Sequence, residues 1–552
     1  MPKAQKNRAS KSAYISPRQL DLPGFESPFT QHLDPNNRWV KLAKQVPWYK
    51  IYSIYQLQLN NRNYGASGIN PRVACGAIMI KHICDLSDRE TILQIQENIY
   101  MQYFIGFPSF SKEPVFDPSL FVELRKRLGA VQINEITETI MGIAGSENSV
   151  VEKQESAPDK ADESVITEIV KDTPLPNPNQ PDDILPGDEI LASDEVNPEQ
   201  PKVPDPEVPS NEGTMMIDAT ACPQDIAYPT DLNLINDARE KSEDLIDALY
   251  EFLKIQKANA KKKPRTYRKI ARKDYLKIAQ KKRKTHKEIK CGIRKQLGYL
   301  GRNIHHLHEL LICFKHIPLN KHQYKYLLVI QTLYEQQKWM YDNKVHRVDD
   351  RIVSIHQPHV RPIVRGKATA DVEFGAKIQV SIMNGMVFLE ELSWDAFNEG
   401  TRLMGSIENY KRRFGNYPEK VFADKIYCNR ENRSRLKALN IKLMAKPLGR
   451  PSAKAVDNHL RPGERNPIEG KFGQAKTAYG MNRIKARLNQ TSESWIASIV
   501  LVLNLIKIIG QGLFCPIRNI ILQQIIAVFI LPILKPPSKM GIFPCRDLFS
   551  RP

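Results

Sequence analysis

The sequence predicts an α/β fold whose sheet is interrupted, after its first strand, by a basic helical insertion. Three observations support this class. A short segment rich in β-branched residues at 213–220 is typical of a buried strand. A helical pattern then fills residues from about 235 to about 345. Beyond it, strand and helix patterns alternate up to residue 445, before a long helical C-terminal part.

Charge is divided unevenly along the 552 residues, which have room for roughly two to four domains. The net charge is +20, but residues 146–212 contain 18 acids against four lysines, a net of −14, so the remainder carries +34. A body this basic indicates a polyanionic partner. The eight cysteines form no CxxC pair and the first residues lack the apolar stretch of a signal peptide, so a zinc ribbon, a disulfide scaffold and secretion are not expected.

The N-terminal third of the chain has three predicted parts. Residues 1–35 are polar and punctuated by proline, which predicts a flexible arm. Residues 36–145 show apolar positions at helical spacing, which predicts a small all-helical domain for DNA binding or dimerisation. Residues 146–212, with 11 prolines, have too little apolar content to offset the entropy of ordering and predict a disordered acidic linker.

Residues 213–510 carry the α/β pattern. A strand over 213–220 is predicted to end in the carboxylate Asp218. Two further strands are predicted at 351–355 and 377–381, and Asn384-Gly385 predicts a hairpin from the latter into a strand at 387–389. The remaining elements are predicted as a helix at 397–414, a strand at 420–423 followed by Asp424, a helix at 430–439 and a strand at 441–445.

The helical insertion is unusually basic. Between residues 261 and 295 there are 17 Lys or Arg and two acids. Such a run is usually a solvated face, but its charge density exceeds what solubility needs, so we expect contacts with the DNA backbone. Four consecutive cations in this run are candidate DNA contacts, namely Lys281, Lys282, Arg283 and Lys284.

Two apolar stretches, 496–509 and 520–534, raise the question of membrane insertion. Each has about 15 residues where a span needs about 20. Polar residues interrupt both, among them Asn504 and Lys507. We therefore expect buried or partner-packed helices and no membrane span, while the apolar tail at 511–552 shows no pattern that indicates a role.

Three acids are candidates for a metal site. Asp218 and Asp424 each follow a short apolar strand, where polar groups of open α/β sheets meet ligands. Glu469 follows Pro467, which is placed to begin a helix, and Lys476 falls on the same helical face. Mg²⁺ prefers hard oxygen ligands, and three carboxylates could hold two ions for an in-line displacement. Most acids are solvated surface groups, so spacing alone leaves that alternative open.

Three segments, in order along the chain, resemble motifs of bacterial insertion-sequence transposases of the DDE type, in particular insertion-sequence family five and its near relatives. They are DATACPQDIAYPTDL from Asp218, VFADKIY from Val421 with NRENR from Asn429, and RNPIEGKFGQAKTAYG from Arg465. The helical segment 96–106 resembles the N-terminal domain of the same group. The resemblance therefore covers most of residues 35–510.

This resemblance implies an RNase H-like catalytic core in which Asp218, Asp424 and Glu469 bind two Mg²⁺, or Mn²⁺ in their place. It implies a cytoplasmic enzyme, associated with the nucleoid, that acts on double-stranded DNA as a homodimer or higher oligomer and cuts and joins it at element ends. Arg465 and Lys476 match the Arg-x3-Glu-x6-Lys part of the third motif, and Pro462 stands where the fuller motif has tyrosine. The DNA surface implied near this motif includes Arg465, Lys476, Arg483 and Arg487.

Two other functions are compatible with these residues. The chain could be a non-catalytic DNA-binding protein derived from a transposase, or a nuclease with the same core. The presence of all three acids favours the enzyme, because a decayed site would most simply lose a carboxylate ligand. We expect the pocket to be otherwise acid-poor. If the three acids do not converge, the replacements to test are Asp371, Glu373 and Glu464.

Overall fold

A computed structural model describes residues 33–58, 68–142, 211–256, 262–367, 370–446 and 463–510. The predicted arm and acidic linker lie outside these ranges, apart from residues 33–35 and 211–212. The C-terminal tail and the second apolar stretch, at 520–534, also lie outside them, as does Pro462.

The N-terminal region is helical, as predicted. Asn37, Asn70, Ser87 and Asn98 begin four of its helices by accepting a hydrogen bond from a backbone N–H of the first turn. Each cap satisfies a backbone donor that the helix itself leaves free. The helices of this region within the described residues are α1 (Arg38–Gln45), α2 (Trp48–Leu57), α3 (Pro71–Ile83), α4 (Asp88–Glu97), α5 (Ile99–Phe104), α6 (Leu120–Arg127) and α7 (Ala130–Ile140).

The insertion is a bundle with an apolar core of its own. Its longest helices meet through buried leucine and isoleucine side chains such as Ile246, Leu300 and Leu333. Thr285 and Glu288 form a reciprocal capping box at the start of the third helix. The four helices described here are α8 (Asp231–Gln256), α9 (Arg268–Ala279), α10 (His286–Leu311) and α11 (Lys321–Asn343).

A curled mixed sheet forms the centre of the α/β part. Its strands are β1 (Thr214–Pro223), β2 (Arg361–Lys367), β3 (Ala370–Met383), β4 (Met386–Ser393), β5 (Lys420–Phe422) and β6 (Lys442–Met444). The order is β2-β3-β1-β5-β6, and β4 also pairs with β3. β1 runs antiparallel to β3 and parallel to β5, which runs parallel to β6.

Four helices complete the described part of the chain. They are α12 (Leu403–Phe414), α13 (Arg430–Ala438), α14 (Asn466–Ala478) and α15 (Asn489–Gly510). Two short 3₁₀ helices, Glu399–Arg402 and Lys425–Tyr427, follow β4 and β5. α12 packs on one face of the sheet through Leu403, Ile407 and Tyr410.

Two strand predictions were wrong in detail. Residues 351–355 form no strand, because Ile352 and Ile355 are buried by packing against the insertion bundle rather than by pairing in the sheet. The strand in that part of the chain is β2, ten residues later. The first strand does not end at Asp218, since its antiparallel pairing with β3 continues to Pro223 and leaves Asp218 in mid-strand.

α15 joins the N-terminal helices to the sheet. With a mean hydropathy of 1.7 over its most apolar window, this 22-residue helix is long and apolar enough to cross a membrane. Its residues from Trp495 to Leu505 are instead buried in a core that it shares with α1–α7 and with β4. Asn504 lies within this apolar surface and exchanges two hydrogen bonds with the backbone of Val387 on β4, at 2.8 and 2.7 Å. The prediction of a buried helix at 496–509 is confirmed, although the helix is longer than the apolar stretch indicated.

Candidate active site

Neighbouring strands carry the first two candidate acids. Thr214, Met215 and Met216 of β1 pair in parallel with β5, so Asp218 and Asp424 both lie just beyond this paired stretch. Asp424 follows the last residue of β5 and caps the 3₁₀ helix behind it, accepting from the backbone N–H of Lys425 at 2.7 Å. The two strands that precede these aspartates are therefore neighbours in the sheet.

Arg465 connects the two aspartates. Its Nη2 lies 2.6 Å from Oδ2 of Asp218, and its Nη1 lies 3.2 Å from Oδ1 of Asp424. The side chains of Arg465 and Asp218 are 15% and 16% exposed, whereas Asp424 is 53% exposed. The buried Nε of Arg465 has no hydrogen-bond partner in the described part of the chain. One guanidinium thus bridges two carboxylates that lie more than 200 residues apart in the sequence.

Glu469 lies on the same cavity as the two aspartates. Pro467 is in the first turn of α14, as predicted, and Glu469 is in that turn too. Lys476 is half-buried on the same face of α14. The cavity has a volume of about 710 Å³, and the charged side chains lining it are Asp218, Lys377, Glu399, Asp424, Arg465, Glu469 and Lys476.

Glu399 is a fourth acid that the sequence did not indicate. It begins the 3₁₀ helix after β4 and is 19% exposed. Its Oε1 lies 2.9 Å from Nζ of Lys377, a β3 residue that also lines the cavity. The expectation of an otherwise acid-poor pocket was therefore wrong. Glu399 follows no strand directly and stands alone between Asn398 and Gly400, so no local pattern distinguishes it from a surface acid.

Burial has the largest influence on the pKa of Asp218. It raises the pKa of this carboxyl above its ordinary value of 3.8, and the charges of Glu399 and Asp424 raise it further. Arg465 and a hydrogen bond from the backbone N–H of Ala219, at 2.8 Å, lower the pKa in part. The cation Arg465 therefore offsets only part of the rise that burial causes in the pKa of Asp218.

Arg465, rather than a preformed carboxylate cluster, organises the acids. Among the residues that the structure describes, no three acidic, histidine or cysteine side chains are grouped so that they could hold a metal ion. The donors are nevertheless of the right kind, because the four carboxylates around the cavity supply the hard oxygens that Mg²⁺ prefers. The residues fit a divalent cation in their chemistry, and binding one between Asp218 and Asp424 would require Arg465 to move.

The other predicted residues lie outside this cavity. Arg483 is 67% exposed and pairs with Asp225 at 2.9 Å. Arg487 is exposed on the loop before α15, and its charge is one of those that lower the pKa of His356 beside the insertion bundle. Of the replacement acids, Glu373 and Glu464 do not line the cavity, and the side chain of Asp371 is outside the described set.

The four consecutive cations of the insertion form the loop that leads into α10. All of them are exposed. Lys281 has its Nζ 2.5 Å from Oε1 of Glu288, whereas within the described chain no ion pair involves Lys282, Arg283 or Lys284. The three unpaired cations are therefore the ones best placed to meet a polyanion.

Two family models match the chain. Residues 421–506 match the family described as Transposase DDE domain, and residues 27–127 match the family described as Transposase domain (DUF772). The first match contains Asp424, Arg465 and Glu469, and the second covers the helices from α1 to α6.

A similar curated protein comes from Rhizobium meliloti and is described as "Uncharacterized protein ORF8 in nfe locus". It is 32% identical over 104 residues, which are 19% of this chain and 49% of that protein. The chain thus spans about half the length of this relative. No solved structure matches the chain.

Both matches are to transposase domains. One lies over the helical N-terminal region and the other over the part of the α/β core from β5 to α15, in the same order along the chain. They support a DDE transposase enzyme of the kind that insertion sequences carry.

Proposed function

We propose that this protein binds the ends of an insertion sequence and catalyses metal-dependent cleavage and strand transfer of DNA. The observation that carries the proposal is the convergence of Asp218, Asp424 and Glu469 on one cavity, together with Arg465 and Lys476. Acids and cations on one cavity suit a site that takes a phosphodiester and divalent cations together. The specific relationship to insertion-sequence family five rests on the motifs quoted above.

Asp218, Asp424 and Glu469 are the residues that would hold the divalent cations, two Mg²⁺ or Mn²⁺. Such ions would activate the attacking oxygen and stabilise the leaving oxygen of an in-line displacement at phosphorus. Arg465 pairs with Asp218 and, once released, presents a guanidinium suited to a phosphate oxygen. Lys476 adds a second cation on the α14 side of the cavity.

An RNase H-like core is the fold we propose for residues 213–510. Three antiparallel strands followed by two parallel ones support it, with Asp218 on β1 and Asp424 just after the neighbouring β5. The helical N-terminal region would bind DNA or a second copy of the chain, giving a dimer or higher oligomer on DNA. We expect the protein to act in the cytoplasm, at the nucleoid.

Most of the affinity for DNA would come from cations outside the cavity. Lys282, Arg283 and Lys284 are exposed in the insertion, and Arg483 and Arg487 follow α14. Phosphate contacts of this kind supply affinity without reading sequence. Binding and cutting should therefore be separable by mutation.

The test uses the purified full chain and a plasmid that carries its gene with native flanking DNA. Asp424→Ala is the most informative variant, because Asp424 is half-exposed and its loss should leave folding intact. Cleavage in Mg²⁺ should be abolished by Asp218→Ala, Asp424→Ala or Glu469→Ala, while binding to duplex DNA is largely retained. Asp395→Ala is the matched control, since Asp395 is 76% exposed and lies outside the cavity.

The products distinguish the related functions. Cleaved ends joined to a second DNA molecule support a transposase, whereas cleavage without joining indicates a nuclease. DNA binding with no cleavage by the wild-type chain indicates a non-catalytic DNA-binding protein. Substantial Mg²⁺-dependent cleavage by the Asp424→Ala protein would contradict the assignment of that residue.

A further inference from the structure

We propose that Glu399 is a fourth metal-binding carboxylate of this site and that Lys377, its ion-pair partner, competes with the cation for it. The ligand is a divalent cation of the Mg²⁺ or Mn²⁺ class. The inference rests on the proposed function, since it concerns the same cavity, and it extends the acidic set beyond the three residues that the sequence motifs contain.

Glu399 lines the cavity and forms an ion pair with the ammonium of Lys377. Its Oε1 is 2.9 Å from Nζ of Lys377, and the two side chains are 19% and 15% exposed. Lys377 also donates to the backbone carbonyl of Phe397 at 2.8 Å, and its ammonium lies 4.9 Å from the centre of the Phe397 ring. The ammonium is thereby fixed, and it neutralises Glu399 much as Arg465 neutralises Asp218.

The backbone that carries Glu399 is clamped to the backbone that carries Asp424. The buried amide of Asn432 donates to the carbonyl oxygens of Gly400 and Tyr427, at 2.7 and 3.0 Å. A Cβ at Gly400 would lie 2.7 Å from the carbonyl oxygen of Ile426, so only glycine permits this approach. These contacts hold the two 3₁₀ helices together. They therefore fix the position of Glu399 relative to Asp424.

A second observation comes from Tyr427, the last residue of the 3₁₀ helix that Asp424 caps. Its side chain is fully buried, and its hydroxyl has no hydrogen-bond partner among the described residues. Burial raises the pKa of Tyr427, and the charges of Glu399, Asp218 and Asp424 contribute to that rise. An unsatisfied hydroxyl beside three carboxylates is costly in a folded protein. Glu399, Asp218 and Asp424 are thus close enough together for all three charges to act on the same buried side chain.

The ion pairs around the cavity predict opposite effects on cation binding for removal of Glu399 and removal of Lys377. Arg465 pairs with Asp218 and Asp424, and Lys377 pairs with Glu399. A divalent cation that uses Glu399 has to displace Lys377 from it. Removing Glu399 should weaken cation binding, and removing Lys377 should strengthen it. A purely structural ion pair would give two variants with the same defect.

The experiment measures Mn²⁺ binding to the full chain by electron paramagnetic resonance and by calorimetry. The variants are Glu399→Gln, Lys377→Met and Asp218→Asn. Glu419→Gln is the matched control, because Glu419 also pairs with lysine, at 3.2 Å from Lys420, but lies outside the cavity. Thermal unfolding of each variant without Mn²⁺ reports whether it is folded.

We expect Glu399→Gln to weaken Mn²⁺ binding by about tenfold or more and Lys377→Met to strengthen it, with Glu419→Gln at the wild-type value. Wild-type affinity in Glu399→Gln, with binding lost in Asp218→Asn, would overturn the fourth-ligand proposal and leave the proposed function standing. Equal weakening in Glu399→Gln and Lys377→Met would make the pair structural and also overturn it. A wild-type chain that binds no Mn²⁺, even with DNA present, would overturn both.

Discussion

Arg465 and Asp218 form an ion pair of 2.6 Å between the residue that precedes α14 and the middle of β1. The pair fixes the helix that carries Glu469 to the central part of the sheet. It also supplies the positive charge that a half-desolvated pair of aspartates requires. Predictions about stability, pH and DNA binding follow from this and from three other contacts.

Arg465→Gln should destabilise the protein most at neutral pH. Removing the guanidinium raises the pKa of Asp218 further, and a folded-state pKa above the unfolded value costs stability as pH rises through that interval. The free energy of unfolding should fall by about 2–3 kcal/mol at pH 7 and by much less at pH 4. Denaturant unfolding at the two pH values measures this. Arg483→Gln is the control, because its exposed pair with Asp225 should contribute less than about 1 kcal/mol at either pH.

The basic loop before α10 should control the salt dependence of DNA binding. Replacing Lys282, Arg283 and Lys284 by alanine should flatten the slope of log affinity against log salt by about 2–3, near 0.9 for each lost phosphate contact. The loss should be similar on specific and random duplexes. Lys281→Ala should change the slope less than Lys284→Ala, because Glu288 already neutralises Lys281. An unchanged slope in the triple variant would show this loop to be a solvated surface.

His82 should make the packing of the N-terminal helices on α15 sensitive to acid. Its ring lies 5.0 Å from that of Trp495, and burial, with the charges of Lys81 and Arg125, lowers the pKa of His82 well below 6.5. The unfolded chain therefore binds a proton near pH 6.5 that the folded chain excludes, so stability falls as pH falls below that value. His82→Leu should flatten the dependence of the melting temperature on pH between pH 7 and pH 5.

Replacement of an exposed histidine provides the control for that experiment. His305 on α10 is 71% exposed, so His305→Leu should leave the pH dependence unchanged. A His82→Leu protein with the wild-type pH dependence would show that other groups cause the acid sensitivity.

Asn504 should contribute strongly to the free energy of unfolding, although it lies in an apolar helix. Its amide satisfies both the N–H and the carbonyl of Val387, and all these groups are buried. Asn504→Ala should lower the free energy of unfolding by about 2–4 kcal/mol, since it leaves two backbone groups unsatisfied. Ser498→Ala should cost less than about 1 kcal/mol, because the Ser498 hydroxyl bonds only within its own helix. Equal losses in the two variants would argue against the Asn504 contact.

Local signals in the sequence were sufficient where one turn or one strand decides the structure. Asn384 and Gly385 both adopt positive φ, 51° and 72°, which is why this dipeptide predicted the hairpin between β3 and β4 correctly. At residues 351–355 the apolar pattern correctly indicated that side chains are buried. It did not indicate that they pack against the insertion bundle rather than pair in the sheet. The actual strand, β2, contains Pro362, which a sheet tolerates at an edge such as this one.

The candidate site was only partly predictable, because its members come from separate elements. Asp424 and Glu469 carried local signals, a strand end and a helix start. Glu399 carried none, and it reaches the cavity through contacts that join distant segments, the amide of Asn432 to Gly400 and the ammonium of Lys377 to Glu399. Such convergence depends on tertiary packing, which spacing along one sequence does not encode.

The core shared by α15 and the N-terminal helices has a consequence for synthesis of the protein. Helices α1–α7 leave the ribosome before α15, yet the apolar surface that covers them belongs to residues 489–510, more than 340 residues later. Until residues 489–510 are synthesised, the apolar surface of these helices is uncovered and can bind chaperones or aggregate. A polypeptide that stops short of α15 would lack the segment that closes this core. Completion of the N-terminal fold is thereby tied to translation as far as α15.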